Sequence, residues 1–384
     1  LARYLGGFLI QPFSLSTIPQ HALETMKPVK QIVMLQGMGN NERGWARLVS
    51  DFGRVVLIQQ GMIQHVEIWE NRQCVFNGAE TNLISSRKLD EMTFSLLTML
   101  RSIACCHGFT RGRKIDVLVA SNYSMGMAAL LLRAIGKTRK VVVFLSDFLP
   151  PRGSFIVRLH RRMTTALTCF VARHADEVWT VSPRIPTATA NLRNFVVPIC
   201  IDDNHMPPGQ REEIGYVGFP SPDHALDVLF DICKRHHFRL NIIGDSAYLQ
   251  SIKHLAPPHT VFHGMLNDPA KINSVLSRCF CGYAVYRDTS PQSYSHFGIP
   301  SKIFYCFASN TPVVTTNTAH FTQNIEDFGI GRVVKPLPVE IEKAVLELKE
   351  QFRSFYEAIN HFREIWNAKA EQFHRERLAV LWEK

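Results

Sequence analysis

"SHFGIPSKIFYCFASNTPVVTTN" runs from Ser295 to Asn317 and reads as a loop, a helix and a strand in succession. Pro300 suits a first helical turn, where its missing N–H costs little, and Ile303 to Ala308 supply the helix body. Asn310 fits a left-handed cap, and the β-branched "TPVVTT" that follows reads as a buried strand. The helix start therefore faces a loop able to hold an anion, with Lys302 in its first turn.

Upstream, the same texture repeats. "IGYVGFP" (214–220), "RLNIIGD" (239–245), "TVFHGM" (260–265) and "FCGYAVY" (280–286) mark strands, most followed by helical stretches. Before "CIDDNHMPPGQREE" (200–213), where apolar periodicity stops, a second series stands: "QIVMLQ" (31–36), "RVVLIQQ" (54–60), "IDVLVAS" (115–121), "KVVVFLS" (140–146) and "EVWTVS" (177–182). Helical spacing fills 88–105, 124–135 and 155–173, and "ENRQCVFNG" (70–78) reads as a hairpin or irregular strand. This is an α/β chain with two mainly parallel sheets. The expected domains are 1–204, 205–350 and a helical tail, 351–384, returning toward the first domain.

Composition sets the outer limits. The 384 residues are 46% hydrophobic and 20% charged, ample core material for two domains. The net charge of +10 favours anionic partners. It is concentrated between Arg101 and His174, where thirteen Lys or Arg face only Asp116 and Asp147. The nine cysteines include no CxxC pair, which argues against structural zinc and for reduced thiols in a cytoplasmic compartment. No apolar run reaches the length of a spanning helix, and "LARYLGGFLIQPF" lacks the pattern of a secretion signal. Nucleic acid is not an expected partner, because zinc-finger spacing and aromatic RNA-binding signatures are absent.

The strand ends of the second half carry the chemistry. Gly218 and Gly244 each follow an apolar strand, where glycine permits positive φ or close approach of a ligand. Neither belongs to a GxGxxG or GxxxxGK motif, so simple turn glycines remain the plain alternative for each. Together with "HFGIPSK" they point to a phosphate or nucleotide.

"IGYVGFP…LNIIGD…VFHGM…CGYAVY…HFGIPSKIFYCFASNTPVV…GIGRVV" resembles the donor domain of GT-B nucleotide-sugar glycosyltransferases, over residues 214–334. Within them it is similar to the family-4 group and, in its lysine motif, to the glucuronosyltransferase of xanthan assembly and related exopolysaccharide enzymes. The resemblance implies two Rossmann-like domains facing a cleft. It also implies a nucleoside-diphosphate sugar as donor on the second domain, an acceptor on the first, and neither a resident cofactor nor a metal. Gly218 and Phe219 then lie in the first donor loop, Tyr286 helps form the nucleotide pocket, and Gly298, Ser301 and Lys302 belong to the motif whose lysine faces the donor phosphates. His296 is a candidate phosphate or sugar contact, and an ordinary surface histidine is the other reading. Tyr305 stands where many family-4 enzymes have a ribose-binding glutamate, which leaves the base open.

In the first half, Asp147 follows an apolar strand just before Pro150 and Pro151, and the xanthan-type resemblance implies that it is the catalytic base. A loop-capping acid is the alternative. Asn122, Tyr123 and Ser124 follow another strand as candidate sugar contacts, with capping by Ser124 the ordinary explanation. Residues 152–174 form a basic amphipathic segment: Phe155, Leu159, Met163, Ala166 and Phe170 make a stripe, with Arg158, Arg161 and Arg162 off it. The stripe fits core packing or an anionic membrane surface. The expected activity is sugar transfer to a lipid-linked saccharide or polysaccharide hydroxyl, in the cytoplasm or on a membrane's cytoplasmic face. The alternatives are a nucleotide-sugar epimerase of the same fold and a non-enzymatic anion- or nucleic-acid-binding protein.

Overall fold

The computed structural model of the chain describes residues 30–36, 41–59, 63–81, 99–100, 102–103, 106, 114–146, 154–185, 194–201, 211–266, 268–290, 293–317 and 320–383. The first half runs β1 (Gln31–Gln36), α1 (Asn41–Val49), β2 (Arg54–Gln59), β3 (Ile63–Glu70), β4 (Gln73–Thr81), β5 (Ile115–Ser121) and α2 (Asn122–Ala134). It continues with β6 (Thr138–Leu145), α3 (Phe155–His174), β7 (Glu177–Thr180) and β8 (Asn194–Val196). These strands make one sheet ordered β4-β3-β2-β1-β5-β6-β7-β8. Val117, Leu118, Val119 and Ala120 of β5 are all buried, as a parallel strand covered on both faces requires.

The outer edge differs. β3 pairs antiparallel with both β2 and β4. The turn between β3 and β4 is Asn71-Arg72, both at positive φ (47° and 64°), the handedness that fits a two-residue hairpin. The expected hairpin over 70–78 is therefore a larger one, with its turn at 71–72 and a strand on each side.

The second half begins with β9 (Glu213–Val217), α4 (Leu226–His236), β10 (Arg239–Ile243), α5 (Ala247–Ile252), β11 (Thr260–Gly264) and α6 (Pro269–Leu276). Then come β12 (Cys279–Ala284), α7 (Tyr294–Phe297), α8 (Ser301–Ala308), β13 (Val313–Thr316), α9 (Thr322–Asp327) and β14 (Gly331–Val334). This sheet is ordered β11-β10-β9-β12-β13-β14 and is parallel throughout. Strand alternation divides its core: Ile214 and Tyr216 of β9 pack on one side, Val217 on the other with the larger cluster that fills the first half. Each half is thus a Rossmann-like layer structure. The expected division at 204/205 lies outside the described residues, between the end of β8 and the start of β9.

Both sheets reverse their strand order, between β1 and β5 and between β9 and β12. Beyond the carboxyl ends of strands at such a point, successive connections leave toward opposite faces and open a crevice. Gly218 and Tyr286 follow β9 and β12, and Asn122 follows β5.

The helix-like stretches after residue 338 form two helices, α10 (Pro338–Glu350) and α11 (Phe352–Glu383). With 32 residues, α11 is about 48 Å long at 1.5 Å per residue. Its first part packs on the second half: Phe362 meets Phe307, Phe321 and Phe328 edge-on, and Arg363 Nη1 donates to Asn310 Oδ1 at 2.9 Å. Its later part packs on the first: Trp366 Nε1 donates to the Ile199 carbonyl, Arg72 pairs with Glu371, and Arg377 pairs with Glu177.

Candidate functional site

The helix of the opening stretch spans Ser301–Ala308, with Pro300 as its N-cap rather than inside the first turn. Asn310 has φ 52°, the left-handed conformation expected of it. Arg211 Nη1 donates to the carbonyls of Ser309 (3.0 Å) and Asn310 (3.2 Å), so a cation closes the negative end of α8. The helix start is thereby held at the β9/β12 crevice.

Lys302 is 7% exposed, and its Nζ has no hydrogen-bond partner among the described residues. The ammonium lies over the Tyr216 ring at 4.7 Å and the Tyr286 ring at 4.9 Å. Burial pulls its pKa down to about 7, partly offset by Cys306 and Asp223. A buried cation that meets ring faces and no hydrogen-bond acceptor lacks the bonds that normally offset desolvation. It is ready for an anion.

The glycines explain the access. Gly218 has φ +128°, and a β-carbon there would lie 3.5 Å from Lys302 Cε and 3.9 Å from Nζ. Gly244, at φ +139°, lies so close to its neighbour that its β-carbon would fall 1.8 Å from the Gly218 carbonyl oxygen. The loops after β9 and β10 therefore touch, and both need glycine. Gly298, by contrast, has extended backbone (φ −99°, ψ 176°) open to any residue.

The loops flanking the crevice are also sewn together. The Arg287 N–H donates to the Asp223 carbonyl (2.8 Å) and the Asp288 N–H to Asp223 Oδ1 (2.6 Å). Tyr286 N–H donates to Thr316 Oγ1 at 3.0 Å, tying the loop after β12 to β13. Tyr216 Oη contacts His224 Nδ1 at 2.8 Å, and the His224 ring stands edge-on to Tyr286 with centroids 5.0 Å apart. Burial, and secondarily the Lys302 charge, push the His224 pKa down to about 3.

The structure thus gathers Gly218, Gly244, Tyr286 and Lys302, and adds Tyr216 and His224, which the sequence reading did not single out. Tyr216 was findable: it lies two residues before Gly218, on the same strand face that period-two alternation assigns. Phe219 is 66% exposed beside them. Ser301 is exposed at the helix start, while Tyr305 is half-buried against the larger core. His296 accepts at Nδ1 from Arg184 Nη1 of the first half (3.2 Å), and burial followed by the Arg184 charge lowers its pKa.

On the first half, Asn122 opens α2 at φ 61° and bonds its first turn: its Oδ1 accepts from Met125 N–H (3.1 Å) and Ser124 Oγ (2.8 Å), while Ser121 is the N-cap. Ser124 is buried and does not cap α2, contrary to the expectation. Asp147 lies outside the described residues. Among the described residues no group of His, Cys, Asp or Glu has the arrangement of a metal site.

The stripe on α3 faces outward. Phe155 is 71% exposed, Ile156 77% and Phe170 46%, with Leu159, Met163 and Leu167 also open to solvent. Only Val171 and Ala172 of this helix are buried, and the partly covered side carries Thr164, Thr165 and Thr168, whose hydroxyls return to backbone carbonyls. Core packing therefore does not account for the stripe.

No protein-family model matches the chain, and no curated protein is similar to it in sequence. Solved structures are similar in fold. Sucrose-phosphate synthase from Thermosynechococcus elongatus matches with TM-score 0.64 and 11% identity, covering 91% of this chain and 100% of that one. Anabaena HepE in complex with UDP-glucose matches with TM-score 0.62 and 14% identity, over 91% of this chain and 99% of that one. An Escherichia coli trehalose-6-phosphate protein bound with UDP-2-fluoro glucose matches with TM-score 0.61 and 12% identity, over 92% and 99%. At these identities the likeness establishes the architecture: two Rossmann-like domains in the GT-B arrangement.

Proposed function

We propose that this chain transfers a sugar from a nucleoside diphosphate to a hydroxyl of a lipid-linked saccharide or growing polysaccharide. The carrying observation is the buried, unpartnered Lys302 ammonium beside Gly218, at the strand-order reversal of the second sheet in a GT-B fold. A diphosphate over Gly218 would meet that cation and the first turn of α8 together, and both favour the negative charge that develops as the sugar leaves. Phe219, exposed on the same loop, is the proposed stacking partner of the base. This reading needs neither a resident cofactor nor a metal, so activity should persist in excess EDTA.

Asp147 is the proposed base of an inverting transfer of the xanthan type. Its carboxylate takes the acceptor hydroxyl proton, the oxygen bonds to the anomeric carbon, and the bond to the diphosphate breaks with its electron pair on the departing phosphate. The exposed apolar face of α3, with Arg158, Arg162 and Arg173 also exposed on the helix, supports docking on anionic lipid at the cytoplasmic face of a membrane. Among the described residues no helix is long and apolar enough to cross one.

Incubation with a panel of UDP-, GDP- and dTDP-sugars, with and without membrane lipid extract, tests the reading. Donor consumption that requires acceptor is the expected result. Sugar isomerisation without acceptor would instead identify an epimerase.

A further inference from the structure

His224 ends a short turn, Pro222–His224, that follows the Gly218 loop. Its Nδ1 is held as an acceptor, because the Ser221 N–H points at it from 3.2 Å. The Tyr216 hydroxyl, 2.8 Å from the same atom, must therefore donate to it. The Ser221 hydroxyl is also near this atom, at 3.4 Å. One side chain thus ties the Tyr216 ring to Ser221, which follows Gly218 and Phe219 in the same loop. The same imidazole stands edge-on to Tyr286, the other ring under Lys302.

The groups facing Lys302 come from four elements. Tyr216 belongs to β9, Asp223 and His224 to the turn, Tyr286 to the loop after β12, and Cys306 to its own helix. None of them is hydrogen-bonded to the ammonium. The enclosure depends on where the two rings stand.

We propose that His224 is the positioning residue of this site: by accepting the Tyr216 hydroxyl it holds the aromatic walls that seal the Lys302 ammonium from water, so that an arriving diphosphate becomes its first hydrogen-bonding partner. The inference rests on the nucleotide reading of the site. His224 touches no reacting atom; it acts through Tyr216 and the Gly218 loop. Its own pKa of about 3 keeps it neutral, and so able to accept, at all working pH values. With Lys302 near 7 in the empty site, binding of an anion that needs the charged lysine weakens about tenfold per pH unit above that point.

Two readouts on this chain separate the possibilities: the ε-carbon titration of Lys302 in ¹³C-lysine-labelled protein, and calorimetric binding of inorganic pyrophosphate from pH 6 to 9. In His224→Ala water enters the enclosure, and the Lys302 titration and the upper limb of pyrophosphate binding should both move up by a pH unit or more. His224→Gln, whose amide oxygen can accept the Tyr216 hydroxyl, should restore the parental profile. Tyr216→Phe should behave as His224→Ala does, with the shift confined to the same limb. An unchanged Lys302 titration in a folded His224→Ala or Tyr216→Phe protein overturns the proposal and leaves His224 a structural residue. Absence of pyrophosphate binding in the parent overturns the nucleotide reading, while the lysine titration still decides whether His224 sets the enclosure.

Discussion

The Lys302 ammonium lies 3.9 Å from the point that a β-carbon on Gly218 would occupy, so whatever rests on the Gly218 backbone rests against a buried cation. The two residues are 84 positions apart in a chain whose strand order brings the ends of β9 and α8 together. Their closeness ranks the two glycines. Gly218→Ala has strained φ but a nearest contact of 3.5 Å, and should cost about 1–2 kcal/mol of stability. Gly244→Ala drives a methyl to 1.8 Å from a backbone oxygen and must displace the Gly218 loop. Thermal denaturation should show the Gly244 variant as the less stable, while UDP binding should weaken in both.

Lys302→Met should lose about 2–4 kcal/mol of transition-state stabilisation, roughly 30- to 1000-fold in kcat/KM. The same variant tests the proton inventory. The unfolded chain keeps this proton to about 10.5 whereas the folded protein releases it near 7, so between those values the unfolded state binds more protons and stability rises with pH. Lys302→Met should lack that rise and should exceed the parent in stability below pH 7. Denaturation midpoints from pH 6 to 9.5 measure it.

His374 predicts the opposite end of the pH scale. It is fully buried among Trp45, Trp179 and Phe373, both ring nitrogens lack partners among the described residues, and burial pushes its pKa down to about 3. Below 6.5 the unfolded state takes up a proton that the folded state refuses, so this contribution to stability is lost as pH falls from 6.5 toward 3. His374→Phe should flatten that acid limb and raise stability at neutral pH by about 1 kcal/mol, since an unsatisfied polar ring is removed.

For α3, changing Phe155, Leu159 and Phe170 together to Ser should abolish cosedimentation with vesicles rich in anionic lipid and leave the melting temperature within a few degrees of the parent. Arg158, Arg161 and Arg162 changed to Gln should weaken the same binding mainly at low salt. A large fall in melting temperature for the Ser variant would mean that the face is covered by protein.

Asp147→Asn should leave folding and UDP binding intact and slow transfer roughly 10²- to 10⁴-fold. Product analysis by NMR accompanies it: retention of the donor's anomeric configuration would remove Asp147 as a single-displacement base.

Much of this fold is written in short apolar runs. β1 and β5 coincide with "QIVMLQ" and "IDVLVAS", because strands buried on both faces leave no room for polar residues. β3 was not legible: "IQHVEIWE" places polar residues through an antiparallel outer strand, and Glu67 is buried with the Trp69 indole as its donor. β8 has three residues, too few for a period. In the site, glycine and proline spacing pointed to Gly218 and Lys302. His224 carried no such mark, since its role arises from Tyr216 eight residues earlier and Tyr286 on another strand. The α3 stripe shows the limit of periodicity, which reveals that a face is apolar but not which side of it meets the protein.

The passage of α11 over both halves has a mechanical consequence. The chain crosses from first half to second between Ile201 and Arg211, and crosses back within α11 near Asn367. Asn367 holds the residue from which the first crossing departs: its Nδ2 donates to the Ile201 carbonyl at 2.8 Å and its Oδ1 accepts the Ile201 N–H at 2.9 Å. Two adjacent tethers leave a pair of bodies one easy freedom, rotation about the line joining them, and resist sliding and twisting. Any opening of the two halves would then turn about a line past Ile201 and Asn367, and would have to break the hydrogen bond by which Arg184 of the first half meets His296 of the second.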